Sequence, residues 1–340
     1  MQKPLQKIGE VQLIDCGTHG RQRSRSVSWN STGSWLAWAS SDRMAKIWSI
    51  EGGSPREVVA ISGHTGPVDR VRFHPTDPNV LCTAAQDRTI RLWDLRGGSQ
   101  RMTQKWDITA PARFGNGPAT AEWTPSGCLV VAERNDTIHI YDPRKTGRST
   151  KAGGGALKSI DLKPNRVEGC QLSPNGEYLV ASTTVRGEGM GELRMWRYED
   201  DTPDDCFVYP GHTGAIYQFA FSPDGTRLAT GGSDAIVGLW DTKDMVCTHT
   251  ITRRTKFIRS VSFSHDSQYV ASSTEEDGID IASADDGSWA GTISFGRRGA
   301  GGADEIAYHP KKPHILACAR GNTEFGNPPA VTVAKWSMVQ

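Results

Sequence analysis

The stretch Leu228-Ala229-Thr230-Gly231-Gly232-Ser233-Asp234-Ala235-Ile236-Val237-Gly238-Leu239-Trp240-Asp241 holds two short apolar runs around a tight polar turn, and Gly211-His212 precedes it. The same arrangement stands earlier in the chain. There Gly63-His64 is followed by Gln86-Asp87-Arg88-Thr89-Ile90-Arg91-Leu92-Trp93-Asp94. Working outward from these two copies, polar turns that close short β runs start near Asn30, His74, Thr124, Ser173, Ser222, Ser264 and His309. Three of them carry a Pro and a Gly two residues apart, Pro125 and Gly127, Pro174 and Gly176, Pro223 and Gly225. Proline presets φ inside such a turn, and glycine supplies the positive φ at its exit.

A small apolar run follows each turn, as in 35–40, 178–182 and 227–231. A third run then reaches an Asp and an aromatic residue, ending at Trp48, Trp93, Tyr141, Trp196 and Trp240. The sixth copy reads Ile279-Asp280-Ile281-Ala282 and looks decayed, and the seventh ends at Lys335-Trp336. No amphipathic helix is legible. Short strands repeated every ~40–50 residues, with Gly-His and Trp-Asp marks, predict an all-β, seven-bladed propeller. The expected units lie near 17–60, 61–108, 109–160, 161–208, 209–251, 252–295 and 296–336 of one domain spanning 1–340. Nothing follows the last third strand, so 9–16 is expected to pair outside it and close the ring, leaving no free edge between first and last blades.

The formal charge of +1 over 340 residues gives no general attraction to nucleic acid, so any such contact must come from local patches. Seven scattered cysteines without a Cys-x-x-Cys read as reduced thiols of a reducing compartment. Met1 to Glu10 lacks the apolar core of a signal peptide, and no apolar run is long enough to span a membrane, so no membrane contact is expected. The nine histidines show no metal-ligand spacing. Gly153 to Ser159 lacks the Gly before Lys158 that a phosphate-binding loop needs. No cofactor, metal or small-molecule substrate is therefore implied. His64, Thr83 and Asp87, like His212, Thr230 and Asp234, superficially match a hydrolase triad. A nucleophile occurs once, whereas this trio occurs twice. We read both sets, with Trp93 and Trp240, as structural tetrads that satisfy the indole N–H, and no catalytic residue is assigned.

The Gly-His and Trp-Asp units resemble the WD-repeat family. A narrower resemblance runs through 228–241, Met245-Val246-Cys247, Ile258 to Asp266, Gly278-Ile279-Asp280-Ile281-Ala282, Ala307-Tyr308-His309-Pro310-Lys311-Lys312-Pro313 and Leu316-Ala317-Cys318-Ala319. That order is similar to the THO complex subunit 3 family, with the Ile-Asp-Ile-Ala ending its most telling mark. The resemblance implies a nuclear, non-enzymatic scaffold of the transcription–export assembly. It would dock on the helical scaffold subunits of the THO complex, connect indirectly to the export RNA helicase, and support mRNP assembly and mRNA export. The chain departs from the pattern at Thr18 to Ser26, which lacks Gly-His, at the extra stretch 185–192, and at the acidic loop 199–205.

The loops that enter the first strand of each unit share one face of a propeller. They hold Arg21, Arg23, Arg25, Arg113, Arg166, Arg253, Arg254, Lys256, Arg297 and Arg298, and no Asp or Glu. This face is the candidate partner-docking surface. Only Phe114 and Phe257 accompany the basic residues, so protein docking is favoured, with RNA contact as an auxiliary role. An alternative is a substrate receptor of a cullin-based ubiquitin ligase, because Trp93-Asp94-Leu95-Arg96 and Tyr141-Asp142-Pro143-Arg144 fit the short motif of such receptors.

Overall fold

Tight turns and apolar second strands together set the architecture. In five of the turns, the fourth residue donates its N–H to the carbonyl of the first and takes a positive φ. Gly127 (φ 82°) bonds Thr124 in this way, and Gly225 (φ 73°) bonds Ser222. The run that follows is apolar on both sides. Leu36, Leu81, Leu129, Leu179, Leu228 and Leu316 stand near its start in six units, none more than 1% exposed, and Val270 takes that place in the sixth. A strand buried on both faces needs a sheet packed on either side.

The computed structural model describes residues 7–18, 24–52, 54–97, 103–109, 118–133, 136–144, 156–163, 165–198, 206–296, 302–320 and 330–339. Within them, 28 strands form seven four-stranded antiparallel sheets. Six sheets are built from consecutive strands, and the seventh joins Ala303–Tyr308, Ile315–Arg320, Ala330–Val339 and the N-terminal strand Lys7–Thr18. The protein is a seven-bladed β-propeller. We number the blades from Ser24 and letter the strands of each from the centre outward, A to D.

The closing strand pairs along the length of Ala330–Val339, with Val11 opposite Trp336 and Ile14 opposite Val333. Thr332 Oγ1 donates to Asp15 Oδ1 (2.7 Å), and Ile8 and Val11 pack on the apolar cluster shared by blades six and seven. The closing segment therefore supplies a D strand to blade seven and packing to blade six.

The A strands are stitched to one another by side chains that accept backbone N–H groups of the next blade. Ser28 Oγ accepts from Phe73 (3.1 Å), Gln218 Oε1 from Val261 (3.1 Å), and Ser260 and Ser262 from Ile306 and Tyr308 (3.0 and 3.1 Å). At the seam between blades seven and one, Glu305 Oε2 accepts from Val27 (2.9 Å). These A strands meet the next blade through side chains, so each such acceptor answers a backbone donor that would otherwise be buried unpaired.

Glu305 is also the centre of a buried ion cluster. Arg70 reaches it at 2.9 Å, and Arg72 pairs with both Glu305 and Glu122, the latter at 2.8 Å. Burial alone would raise the Glu305 carboxyl, but Arg72 and Arg70 outweigh that and hold it below the usual glutamate range.

All seven cysteines are free thiols. Five are buried, Cys206 is half-buried and Cys247 is exposed on an outer strand.

Candidate partner-binding faces

The loop before strand A and the turn between strands B and C lie at the same end of every blade, because A, B and C alternate in direction. The tetrads tie these two loops together. In blade five, Trp240 Nε1–H donates to Thr230 Oγ1 (3.0 Å), and His212 Nε2 lies 2.7 Å from the same oxygen. His212 Nδ1 meets Asp234 at 2.9 Å. The acidic partner fixes the imidazole proton on Nδ1, so Thr230 O–H donates to Nε2. Blade two repeats the chain through Trp93, Thr83, His64 and Asp87, at 2.8, 2.7 and 2.9 Å. The proton order is that of a hydrolase triad. Both threonine oxygens, however, also accept an indole N–H, and both residues are wholly buried, so no substrate carbonyl reaches them. Replacing Thr230 with Val leaves the indole donor and the imidazole acceptor unpaired at once. We expect a loss of about 1–3 kcal/mol, read as a lower urea midpoint. An unchanged midpoint would contradict this linkage.

Two other blades make the same tie with different chemistry. In blade six, Arg254 comes from the loop before strand A and grips Asp280 of strand C with two bonds of 2.8 and 3.0 Å. Thr292 Oγ1 donates to the same carboxylate. Asp280 is 4% exposed. The Ile279-Asp280-Ile281-Ala282 ending, which reads as decay in the sequence, is an ionic replacement for the histidine chain. In blade four, Glu192 Oε1 accepts from Asn165, Thr183 and Arg194 at 3.0, 3.0 and 2.7 Å.

This corrects the place of Arg254, which the sequence assigns to the docking face. Its side chain is only 14% exposed and is committed to the fold. Arg25 is likewise engaged, donating to Asp69 at 2.7 Å. Arg166 remains largely exposed beside Glu168 (3.1 Å). Arg253 lies with its guanidinium 4.4 Å from the centre of the Trp289 ring, and Lys256 and Phe257 are exposed nearby. Tyr217 meets Phe257 edge-on at 6.0 Å, and Arg259 sits over Tyr217 while pairing with Glu275. Tyr217 and Trp289 thus add aromatic surface that loop-by-loop reading missed, since Tyr217 lies within a first strand and Trp289 belongs to an outer strand. Arg21, Arg23, Arg113, Arg297 and Arg298, with the acidic loop 199–205, lie outside the described residues.

Arg254→Ala is expected to destabilise the protein by about 2 kcal/mol, because it strands a buried carboxylate with residual solvent access. Arg253→Ala is expected to cost less, because the Arg253 side chain is half exposed and its Nε stands 3.9 Å from the same carboxylate, beyond hydrogen-bond distance. Equal melting temperatures for the two variants would contradict the structural role of Arg254.

The arginines of the two short motifs turn back on their own chain. Arg96 pairs with Asp94 (3.1 Å) and Asp77, and Arg144 with Asp142 (2.8 Å).

Comparison with known proteins agrees with this geometry. The model of the WD domain, G-beta repeat, matches residues 14–49, 55–94, 204–241 and 245–293. THO complex subunit 3 of Arabidopsis thaliana is 31% identical over 277 residues, covering 78% of each chain. The chain belongs to the THO complex subunit 3 family of WD-repeat proteins. More distant kinship extends to the WD repeat-containing protein AAC3 of Dictyostelium discoideum, 26% identical over 72% of this chain and 52% of that one. The human serine-threonine kinase receptor-associated protein is 25% identical over 64% of this chain and 55% of its own. The repeat model passes over 95–203, which holds blade three, with Tyr141 at the tryptophan position, and the three inner strands of blade four, whose tie is made by Glu192. As a WD-repeat propeller of this family, the chain is a scaffold for protein interactions.

Proposed function

We propose that this protein is a non-enzymatic interaction scaffold, the WD-repeat subunit of a nuclear THO-type assembly. In that role it docks on helical scaffold subunits, is linked through them to the export RNA helicase, and supports mRNP assembly and mRNA export. The observation that carries this reading is the 31% identity to THO complex subunit 3 across 78% of both chains. The full burial of Thr83 and Thr230 supports a structural reading of the two hydrolase-like trios. Arg166, Arg253 and Lys256 are the described basic residues of the candidate docking face with exposed side chains, and Phe257 and Trp289 add exposed aromatic surface to this reading.

The test is affinity purification of the tagged protein from nuclease-treated nuclear extract, followed by mass spectrometry. Recovery of THO subunits supports the reading, and their loss on Arg253→Glu locates the contact. Recovery of a cullin with its adaptor, and no THO subunit, would replace it with the ubiquitin-ligase reading.

A further inference from the structure

The opposite face of the disc carries a cleft of about 330 Å³ where the last blade meets the first. Trp29, Ile50 and Ile315 form its floor. Lys311, Lys312 and Lys335 line it, against a single carboxylate, Glu51. Among the described residues, none of the three ammonium groups is paired.

The site is rigidly built. Burial brings the His309 imidazole down to about 4, so the ring is neutral. Its Nδ1 accepts the backbone N–H of both Lys311 and Lys312, at 3.0 and 3.1 Å. The proton is therefore on Nε2, which donates to the Gly33 carbonyl of blade one (3.1 Å). The ring also packs on Trp29 at 4.9 Å. Gly33 has φ +77°, and a Cβ there would lie 2.2 Å from the imidazole. The two lysines thus ride on a turn locked across the seam.

An internal comparison shows that the turn does not need them. His74 makes the same turn in blade two, accepting the N–H of Thr76 and Asp77 and packing on Trp123 of the next blade (4.6 Å). His74-Pro75-Thr76-Asp77 and His309-Pro310-Lys311-Lys312 serve the same local structure with opposite charge. The lysines are not dictated by folding.

We propose that this cleft binds an acidic segment of a protein partner. One apolar side chain enters over Trp29, Ile50 and Ile315, and flanking carboxylates face the three lysines. Excess positive charge around an apolar floor selects that chemistry. Single-stranded RNA fits less well, because the Trp29 ring already packs on His309 and the cleft has no second aromatic platform of Phe, Tyr or Trp on which successive bases could stack.

The probe is a fluorescein-labelled acidic peptide with one central leucine, titrated against the full chain by anisotropy. Binding is expected to weaken with added salt. Lys311→Glu with Lys312→Glu is expected to reduce affinity about tenfold or more, and Glu51→Lys to raise it about fivefold. Arg253→Glu, on the other face, leaves it unchanged. The Glu51, Lys311 and Lys312 side chains are exposed, so the variants in the cleft are expected to melt with the parent. The proposal is overturned by no measurable binding to the parent chain, by equal affinity in the double lysine variant, or by displacement of the peptide by oligouridylate at lower concentration than by unlabelled peptide. The assay reads the cleft directly and does not depend on membership of any assembly.

Discussion

A chain lacking residues 1–18 is expected to lose the single cooperative melting transition of the intact ring. The deletion removes the whole D strand of blade seven and exposes a ladder of backbone groups along Ala330–Val339. It also removes the partly buried side chains of Ile8, Val11 and Ile14, which pack on the clusters of blades six, seven and one. Burial of such side chains contributes roughly 1.5–3 kcal/mol each when complete. The lost packing and pairing together come to about 5 kcal/mol or more, comparable to the whole margin of a typical domain. Circular dichroism during heating decides the matter. A truncated chain that melts cooperatively at the parent temperature would show that the ring closes without this strand.

Glu305→Ala is the second large effect. It removes the carboxylate shared by Arg70 and Arg72 and the acceptor for the Val27 N–H, at a residue only 3% exposed. Removing one partner of a buried ion cluster costs about 3–5 kcal/mol, because the remaining charge stays desolvated. Guanidinium chloride unfolding measures it, and a loss below about 1 kcal/mol would mean that Glu122 alone satisfies Arg72. The same carboxylate predicts a pH dependence. Its folded value lies below the ordinary 4.5, so the stabilisation is complete above that value. It is lost as the pH falls through the folded value. Acid unfolding of the parent is therefore expected to be steeper than that of Glu305→Ala over this interval.

Much of the fold is legible in the sequence because its signals are local. A turn with Pro and Gly, an apolar run and a Trp-Asp ending all fall within one hairpin, and the ring follows from repetition. The closing strand is legible by elimination. The opposite holds for the seams. Glu305 and Val27 are separated by 278 positions, and no period relates them. His309 and Gly33 are as distant. The Arg254–Asp280 pair is nearer, 26 residues apart, but it replaces the expected histidine chain with an ion pair, so pattern matching reads it as loss. The docking face suffers from the same blindness. Counting charges in loops placed Arg25 and Arg254 at the surface, whereas Asp69 and Asp280, on strands, hold them against the fold.

The pairing of Lys7–Thr18 with Ala330–Val339 has a consequence for biogenesis. A ribosome delivers the outermost strand of the last blade before any blade exists. That segment must stay unpaired while six blades form, and it finds its partner only when the last ten-residue strand has been released. Throughout synthesis the growing ring therefore presents an open lateral surface at each end. A chaperone that shields strand edges has its natural window there, and a truncation inside Ala330–Val339 is far more damaging than the few strand residues it removes.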